Sequence, residues 1–216
     1  MYVPKHFDAP SLAAVHELLA GGAPGDLVTW SGKGMVASTV PLLFDPSGGS
    51  HGVLIGHLAR NNEQWRHTDD QVEAMAIFRG PDAYVSPASY ATKREHGRVV
   101  PTWNYLTAHV YGLLTAHDDP AWTERAVRML TGRHEGTRAA PWSVDDAPPA
   151  FIEGQLKAIV GIELTVTRIE AKWKLSQNRS VEDIAGVRDD LLTADRSSDK
   201  ERQVAAAMDA ELAARR

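Results

Sequence analysis

The sequence predicts a mainly β fold of the α+β kind, a barrel of short strands with helices at its start, between strands and at its end. Short apolar runs rich in β-branched and aromatic residues recur at fairly regular spacing, and clusters of Gly, Pro, Asn, Asp and Ser separate them. Strand and helix do not alternate in a sustained way, which disfavours a doubly wound parallel sheet. With 216 residues, the chain is long enough for about one domain and an appendage.

The apolar runs also give the positions of the strands. A loop at residues 31–34 predicts a hairpin, Pro41 predicts a bulge or a sheet edge, and Gly80-Pro81-Asp82 predicts a turn. The predicted strands cover residues 26–30, 35–43, 53–56, 73–78, 83–86, 99–106, 110–114, 159–167 and 169–175.

Capping residues and helical spacing of apolar residues predict the helices. Ser11 is a good N-cap, and Asp118 or Asp119 precedes Pro120 in the same way. The predicted helices cover residues 11–20, 59–66, 120–133, 149–156, 181–192 and 199–216. Composition changes after Ser176, so we divide the chain into a barrel domain, residues 1–180, and a helical C-terminal extension, residues 181–216.

Composition excludes several classes of function. The chain has no Cys, which removes disulfides, thiolate nucleophiles and Cys-based metal sites. Its formal charge is −5, and no basic recognition helix is visible, so we expect no direct, sequence-specific DNA binding. No run of about 20 apolar residues occurs and the first residues lack the pattern of a signal peptide, so we expect a cytoplasmic protein without a membrane segment.

The segment GHLARNN at residues 56–62 is the first candidate site. A strand is predicted to end at Gly56 and a helix to start near Ala59, an arrangement that directs free backbone N–H groups at an anion. Arg60 and His57 would add charged donors, and a guanidinium can bind phosphate through two N–H groups. A polar turn with a solvated Arg is the alternative interpretation.

Two further segments combine aromatic and polar residues. In VVPTWNY at residues 99–105, Trp103 and Tyr105 share one strand face, where they would stack on a planar ligand or fill the core or a subunit interface. In KWKLSQNR at residues 172–179, Lys172, Lys174 and Ser176 share one face, which suits an anionic or heteroaromatic ligand but equally a solvated sheet face.

Metal and hydrolase motifs are missing. The nine His residues include no His-Glu-x-x-His pattern, so scattered core or surface His is the better interpretation and we expect no metal site. No Gly-x-Ser-x-Gly elbow and no Walker-type loop occurs, and catalytic residues therefore remain unassigned.

Taken together, these segments resemble PaiB-type proteins, the FMN-binding negative transcriptional regulators. The similarity extends to about residue 186 and rests on long ungapped blocks rich in Trp, Tyr, Pro and Asn. The blocks are MYVPKHF at 1–7, GHLARNN at 56–62 with QW at 64–65, AIFRGPDAYVSP at 76–87, VVPTWNY at 99–105, HVYG at 109–112 and KWKLSQNR at 172–179.

The resemblance implies an FMN-binding split β-barrel related to pyridoxamine-phosphate oxidases, built as a homodimer with FMN at the subunit interface. The flavin would serve as a redox cofactor or as a sensed ligand. The resemblance assigns the FMN contacts as follows: His57, Arg60 and Asn61 at the phosphate, Trp103 and Tyr105 flanking the ring or the dimer interface, Lys174, Ser176, Gln177 and Asn178 at the polar ring edge or ribityl chain, and backbone groups of Thr39 and Val40 at the ring.

Two other functions stay open at this point. One is a regulatory or scaffold protein that acts through a partner without flavin, and the other is a haem-binding split barrel. Whether the chain is an enzyme is also open; if it is one, we expect an FMN-dependent oxidoreductase.

Overall fold

The computed structural model describes residues 1–69, 71–193 and 197–215. Within them, seven strands form one sheet in the order β2-β1-β5-β6-β7-β4-β3. The strands are β1 (Gly25–Ser31), β2 (Gly34–Val40), β3 (Leu42–Asp45), β4 (Val53–Ala59), β5 (Ala74–Val85), β6 (Thr102–His117) and β7 (Ile159–Lys174).

Helices occupy the segments between and after the strands. They are α1 (Leu12–Ala20), α2 (Gln64–His67), α3 (Lys93–His96), α4 (Pro120–Glu135), α5 (Pro149–Lys157), α6 (Val181–Leu191) and α7 (Asp199–Ala213), with short 3-10 turns η1 (Lys5–Phe7), η2 (Pro87–Ser89) and η3 (Val144–Asp146). The predictions for α1, α4, α5, α6 and α7 are confirmed, although the predicted end of the last helix at Arg216 lies outside the described residues. Asp119 is the N-cap of α4, where its side chain accepts a hydrogen bond from the Ala121 N–H.

The predicted hairpin is confirmed. β1 and β2 pair antiparallel with Trp30 opposite Met35, and β1 also pairs antiparallel with β5. Pro41 separates β2 from β3, and these two strands stand at the two ends of the strand order. The expectation that this proline marks an edge is therefore confirmed, since a residue without an N–H cannot serve an inner ladder.

The predicted turn at Gly80-Pro81-Asp82 is wrong, because β5 continues through it. β5 pairs with β1 through residues 75–77, so Pro81 lies beyond the segment that β1 requires for its ladder. The breaks predicted near residues 107–109 and 168 are wrong in the same way, since β6 and β7 are each one strand of 16 residues.

The predicted helix at residues 59–66 is also wrong in its extent. β4 runs to Ala59, and α2 begins only at Gln64 and has four residues. β4 stays in the sheet this far because it pairs antiparallel with β7 along its whole length, from Val53 opposite Thr165 to Ala59 opposite Ile159.

The chain divides into two compact units, with β5, β6 and β7 contributing residues to both. Unit 1 contains Met1–Leu12, Arg79–Thr107 and Ala171–Arg216, and unit 2 contains Ala13–Phe78 and Ala108–Glu170. The core of unit 2 is apolar and comes from alternate strand positions, among them Leu27, Leu54, Val110, Ile162 and Leu164.

Unit 1 includes the two C-terminal helices α6 and α7. Ile184, Val204 and Met208 are fully buried, and the buried carboxylate of Asp183 accepts hydrogen bonds from the Thr92 N–H and Oγ1 at 2.9 and 2.8 Å. These helices therefore belong to the packed core of this unit. Whether residues 1–180 and 181–216 fold independently, as the predicted division at residue 180 implies, stays a prediction.

Two helical glycines offer a matched test of this packing. A Cβ added at Gly186 in α6 would stand 2.3 Å from the Ser89 backbone oxygen, whereas one added at Gly132 in α4 would meet nothing within 4 Å. We expect Gly186→Ala to lower the free energy of unfolding by about 1–3 kcal/mol through overpacking. Gly132→Ala is expected to raise it by about 0.5–1 kcal/mol, because Ala loses less backbone entropy in a helix.

Urea denaturation followed by circular dichroism measures both variants. A Gly186→Ala protein as stable as the parent would show that α6 does not pack closely against residues 87–89.

Candidate functional site

A pocket in unit 2 brings together three of the residues assigned to FMN, Thr39, Val40 and His57. We call it the β2–β4 pocket; its volume is about 480 Å³, within the ordinary range of small-molecule sites. Its lining consists of Ser38, Thr39, Val40, Pro41, His57, Leu58, Ala59, Asn62 and Ile159.

The β2 side of the pocket offers backbone groups. β2 stands at one end of the strand order, so alternate N–H and C=O groups along it have no strand partner on that side. The Val40 side chain is buried, while the Thr39 hydroxyl donates a hydrogen bond to the Asp26 carboxylate at 2.7 Å. The hydroxyl is thus already used, and what these two residues can offer a ligand is their main chain.

His57 carries an unsatisfied polar atom. Its Nδ1 is buried and has no hydrogen-bond partner, a condition that costs about 1–3 kcal/mol until a partner is supplied. Burial lowers the pKa of the imidazole, so the neutral ring is favoured. A neutral imidazole has one donor and one acceptor nitrogen, so it can donate one hydrogen bond to a phosphate oxygen or exchange one with a polar heteroaromatic ring.

Arg60 does not line the β2–β4 pocket. Its guanidinium donates to the Lys157 carbonyl at 2.7 Å and the Ile159 carbonyl at 3.1 Å, and it forms an ion pair with Asp118 at 2.8 Å. The ion pair raises the pKa of Arg60 and lowers that of Asp118. The guanidinium thus joins the turn after β4 to the segment between α5 and β7.

The predicted anion cradle at a helix N-terminus is therefore wrong. The Arg60 N–H donates to the Ala158 carbonyl and the Asn62 N–H to the Ala59 carbonyl, so these groups are already used. α2 begins four residues after Arg60 and is too short to provide the field of a helix terminus. A role for Arg60 at the phosphate stays a prediction that has to rest on the side chain alone.

Asn62 reaches the pocket, although the sequence analysis singled out Asn61. The Asn62 amide donates to Ser38 Oγ at 2.9 Å and its oxygen accepts from the Gln64 N–H, whereas Asn61 is exposed. No pattern distinguishes two consecutive Asn residues in a turn. Only the position of the turn relative to β2 decides which of them lines the pocket.

The other predicted residues lie in unit 1. The Lys174 ammonium donates to Thr102 Oγ1 at 2.7 Å and to the Trp103 carbonyl. The Trp103 ring is 53% exposed and meets Tyr84 edge-to-face with ring centroids 5.9 Å apart. The Tyr105 ring lies 5.7 Å from the Lys172 ammonium. Trp103 is thus a surface aromatic residue and not a core residue.

Ser176 and Gln177 direct their side chains inward. Ser176 Oγ donates to Asn104 at 3.1 Å, and the Gln177 amide bonds the Leu175 N–H and the Trp173 carbonyl. Asn178 is exposed and makes no side-chain hydrogen bond within the described part of the chain. As they stand, Ser176 and Gln177 fix the turn after β7, and Asn178 is the member of this group that is free to contact a ligand.

Comparison with known proteins shows the family. Residues 1–168 match the family described as "Putative FMN-binding domain". The protease synthase and sporulation protein PAI 2 of Bacillus subtilis is 34% identical over 191 residues, which covers 88% of this chain and 89% of that protein. An uncharacterized protein of Emericella nidulans is 32% identical over 182 residues, 70% of this chain and 72% of that protein.

Solved structures show the same fold at low identity. The flavocytochrome Anf3 of Azotobacter vinelandii has a TM-score of 0.56 and 10% identity, over 80% of this chain and 72% of that chain. The FAD and heme binding protein of Mycobacterium smegmatis has a TM-score of 0.56 and 15% identity, over 82% and 78%.

The chain is an FMN-binding protein of the split-barrel class. It belongs to the PaiB-type FMN-binding domain family, which confirms the predicted family, fold class and cofactor. No helix among the described residues is long and apolar enough to cross a membrane.

The β2–β4 pocket fits this cofactor, because it combines edge-strand backbone groups with an unsatisfied neutral imidazole. A bound flavin would supply hydride or electron transfer. The chain would supply position: main-chain groups of Thr39 and Val40 would face a planar ring, and Nδ1 of His57 would give or take one hydrogen bond.

The burial of His57 predicts a pH dependence of stability. Its pKa in the folded protein is below the ordinary value of 6.5, so the unfolded chain takes up the proton first as the pH falls. We expect the free energy of unfolding to decrease below pH 6.5 and the decrease to end at the folded-state pKa. His57→Gln should reduce this slope, although burial of His109 acts in the same direction and leaves part of it.

Urea denaturation at pH values of about 7.5 and about 5.5, on either side of the ordinary His pKa, measures the slope. His51→Gln, which removes an exposed imidazole, is the control. It should retain the part of the pH slope of the unfolding free energy that His57 contributes. An unchanged slope in His57→Gln would contradict the prediction that the buried His57 causes this pH dependence.

Proposed function

We propose that the chain is a homodimeric flavoprotein that uses FMN as a redox cofactor or as a sensed ligand. The observation that carries the proposal is the β2–β4 pocket with the unsatisfied Nδ1 of His57. Thr39 and Val40 would contact the ring through their backbone, and His57, Arg60 and Asn61 are proposed at the phosphate. Trp103, Tyr105, Lys174, Ser176, Gln177 and Asn178 stay predicted FMN contacts, as the family resemblance implies.

The relatives support a regulatory setting for this chemistry. PAI 2 of Bacillus subtilis is named for protease synthesis and sporulation, which describes a physiological effect. The net charge of −5 favours action without direct DNA contact, because specific DNA binding at ordinary salt needs several phosphate contacts. We therefore propose a cytoplasmic protein whose flavin state, and not a DNA-reading helix, carries the signal.

The absorption spectrum of the purified protein tests the cofactor proposal, with the released cofactor identified by mass. Flavin absorption supports it. A haem spectrum, or no chromophore together with no FMN uptake, would replace it by the haem-binding or the flavin-free scaffold alternative.

Arg60 and Asp118 give a paired test of the phosphate contact. If the guanidinium contacts the phosphate, Arg60→Ala should weaken FMN roughly 10-fold to 150-fold, the scale of a charge-assisted hydrogen bond. Riboflavin, which has no phosphate, should bind the parent weakly, and its affinity should fall little further in Arg60→Ala. Asp118→Asn removes the competing carboxylate, and FMN should then bind as tightly as to the parent or more tightly.

Flavin fluorescence quenching measures both ligands on the three proteins. Equal weakening of FMN and riboflavin in Arg60→Ala would show that Arg60 only positions the loop, and unchanged FMN affinity would remove it from the site.

The homodimer proposal rests on an exposed apolar face of unit 2. The strand register places Val28, Trp30, Met35 and Met75 on one face, with Trp30 opposite Met35 and Val28 opposite Met75. Trp30 is 49% exposed and Met35 is 74% exposed. The face also borders a cavity of about 560 Å³ that reaches Tyr111 and Arg168. An apolar patch is complementary to itself, as a two-fold symmetric interface requires.

A charge placed on this face should dissociate the dimer. We expect Met35→Lys to weaken self-association by at least about tenfold, because burial of a large apolar side chain contributes about 1.5–3 kcal/mol. Met129→Lys, at an exposed methionine of α4, is the matched control and should remain dimeric. Light scattering over a dilution series measures both, and a parent protein that is monomeric throughout would contradict the proposal.

A further inference from the structure

Three cations of unit 1 have no acidic partner. Lys172, Lys174 and Arg179 form no ion pair with any carboxylate of the described residues. Asp8 comes close through its main chain, which makes an isolated bridge to Lys172, but its carboxylate is not paired with any of the three. The chain as a whole has five more acidic than basic residues.

The two lysines are held by neutral groups. The Lys172 ammonium donates to the Tyr2 carbonyl at 3.2 Å, and the Lys174 ammonium donates to Thr102 Oγ1 and the Trp103 carbonyl. Both ammonium groups lie within 6 Å of the centre of the Phe7 ring, at 5.6 and 5.9 Å. An ammonium has three N–H donors, so each lysine is fixed in place and retains at least one donor for a ligand.

Lys174 lies within the electrostatic influence of the other two cations. Burial lowers the pKa of Lys174, and the neighbouring charges of Lys172 and Arg179 lower it further. The Arg179 guanidinium stands over the Tyr90 ring, 5.1 Å from its centre. Neither a carbonyl nor an aromatic ring removes this repulsion at Lys174, which an anion bound beside the ammonium would relieve.

The backbone between Lys174 and Arg179 is rigid. Ser176 has a φ of +67°, and no other non-glycine residue of the described chain has a positive φ. Both amide atoms of Gln177 bond the backbone of the same turn, and Arg215 donates to the Gln177 carbonyl at 2.6 Å. A ligand would therefore meet positions that are already set, which reduces the ordering cost of binding.

We propose that Lys172, Lys174 and Arg179 form an oxyanion-binding site in unit 1, suited to a phosphoryl group. The guanidinium would bind two of its oxygens, and the ammonium groups would bind the remaining charge. The site is defined by these three residues and does not depend on the β2–β4 pocket. The phosphoryl group can come from FMN or from a separate phosphorylated ligand, and the two sources are separated below.

Acetylation of lysines in the full-length protein, followed by mass spectrometry, reads the site without any activity assay. Inorganic phosphate, compared with chloride at equal ionic strength, should slow acetylation of Lys174 roughly tenfold, because an adjacent anion raises the ammonium pKa by ~1 unit. Lys157, already paired with Glu153, is the internal control and should keep its rate. Equal rates at Lys174 in phosphate and chloride would overturn the proposal.

Two variants show whether the cluster as a whole is required. Arg179→Gln and Lys172→Met should each abolish the protection of Lys174 by phosphate. Arg202→Gln, which removes an arginine paired with Asp199 in α7, should retain it. Thermal unfolding shows which variants are folded. A folded Arg179→Gln or Lys172→Met protein that still shows full protection would overturn the three-residue site.

Flavins then identify the source of the phosphoryl group. Protection by FMN but not by riboflavin assigns the site to the cofactor phosphate. Protection by inorganic phosphate that persists with FMN bound elsewhere, as measured by fluorescence quenching, assigns it to a separate ligand. Absence of FMN binding would contradict the proposed function and leave the phosphate result in force, so the two failures are distinguishable.

Discussion

The side chain of Arg60 fixes the geometry on which the β2–β4 pocket depends. It donates to the carbonyls of Lys157 and Ile159 and to the carboxylate of Asp118, all of which are distant from Arg60 in the sequence. These contacts hold the turn after β4 against the start of β7, and the same turn carries Asn62 to Ser38. A charged donor that satisfies two carbonyls and one carboxylate stabilises a loop more than a surface ion pair does, because backbone groups near the interior need partners. The residue that looked most like a ligand anchor is, in this structure, the support of the pocket.

Much of the fold follows from local signals, and the errors have a common physical origin. The cap of α4 and the hairpin between β1 and β2 are set by nearby residues, so the sequence predicts them. Gly80-Pro81-Asp82 has turn chemistry, but β5 passes through it because the strand pairing outweighs the local preference. For β6 a signal was present: every second residue from Ala108 to Leu114 is buried, which indicates one continuous strand.

The candidate site was predictable in composition but not in the role of each residue. His57, Thr39 and Val40 do line one pocket, since strand ends and a proline at an edge are local features. That Gln177 binds its own turn, or that Asn62 and not Asn61 lines the pocket, depends on side-chain directions that a motif does not encode. Lys172 and Arg179 were visible in the same motif as Lys174. What distinguishes them is the lack of a carboxylate partner, which only the folded arrangement shows.

Ser176 has a left-handed backbone conformation that glycine would adopt without strain, but the serine hydroxyl gives this residue a role that glycine lacks. A non-glycine residue in the left-handed region costs about 1–3 kcal/mol unless its surroundings compensate. Ser176 compensates through its hydroxyl, which donates to the oxygen of the fully buried Asn104. The Asn104 amide nitrogen lies 3.5 Å from the sulfur of Met208. Glycine would relieve the strain and leave the Asn104 oxygen without a partner, a loss of similar size. The serine therefore links the turn that carries Lys174 and Arg179 to Asn104 and, through the Asn104 amide, to Met208 of α7.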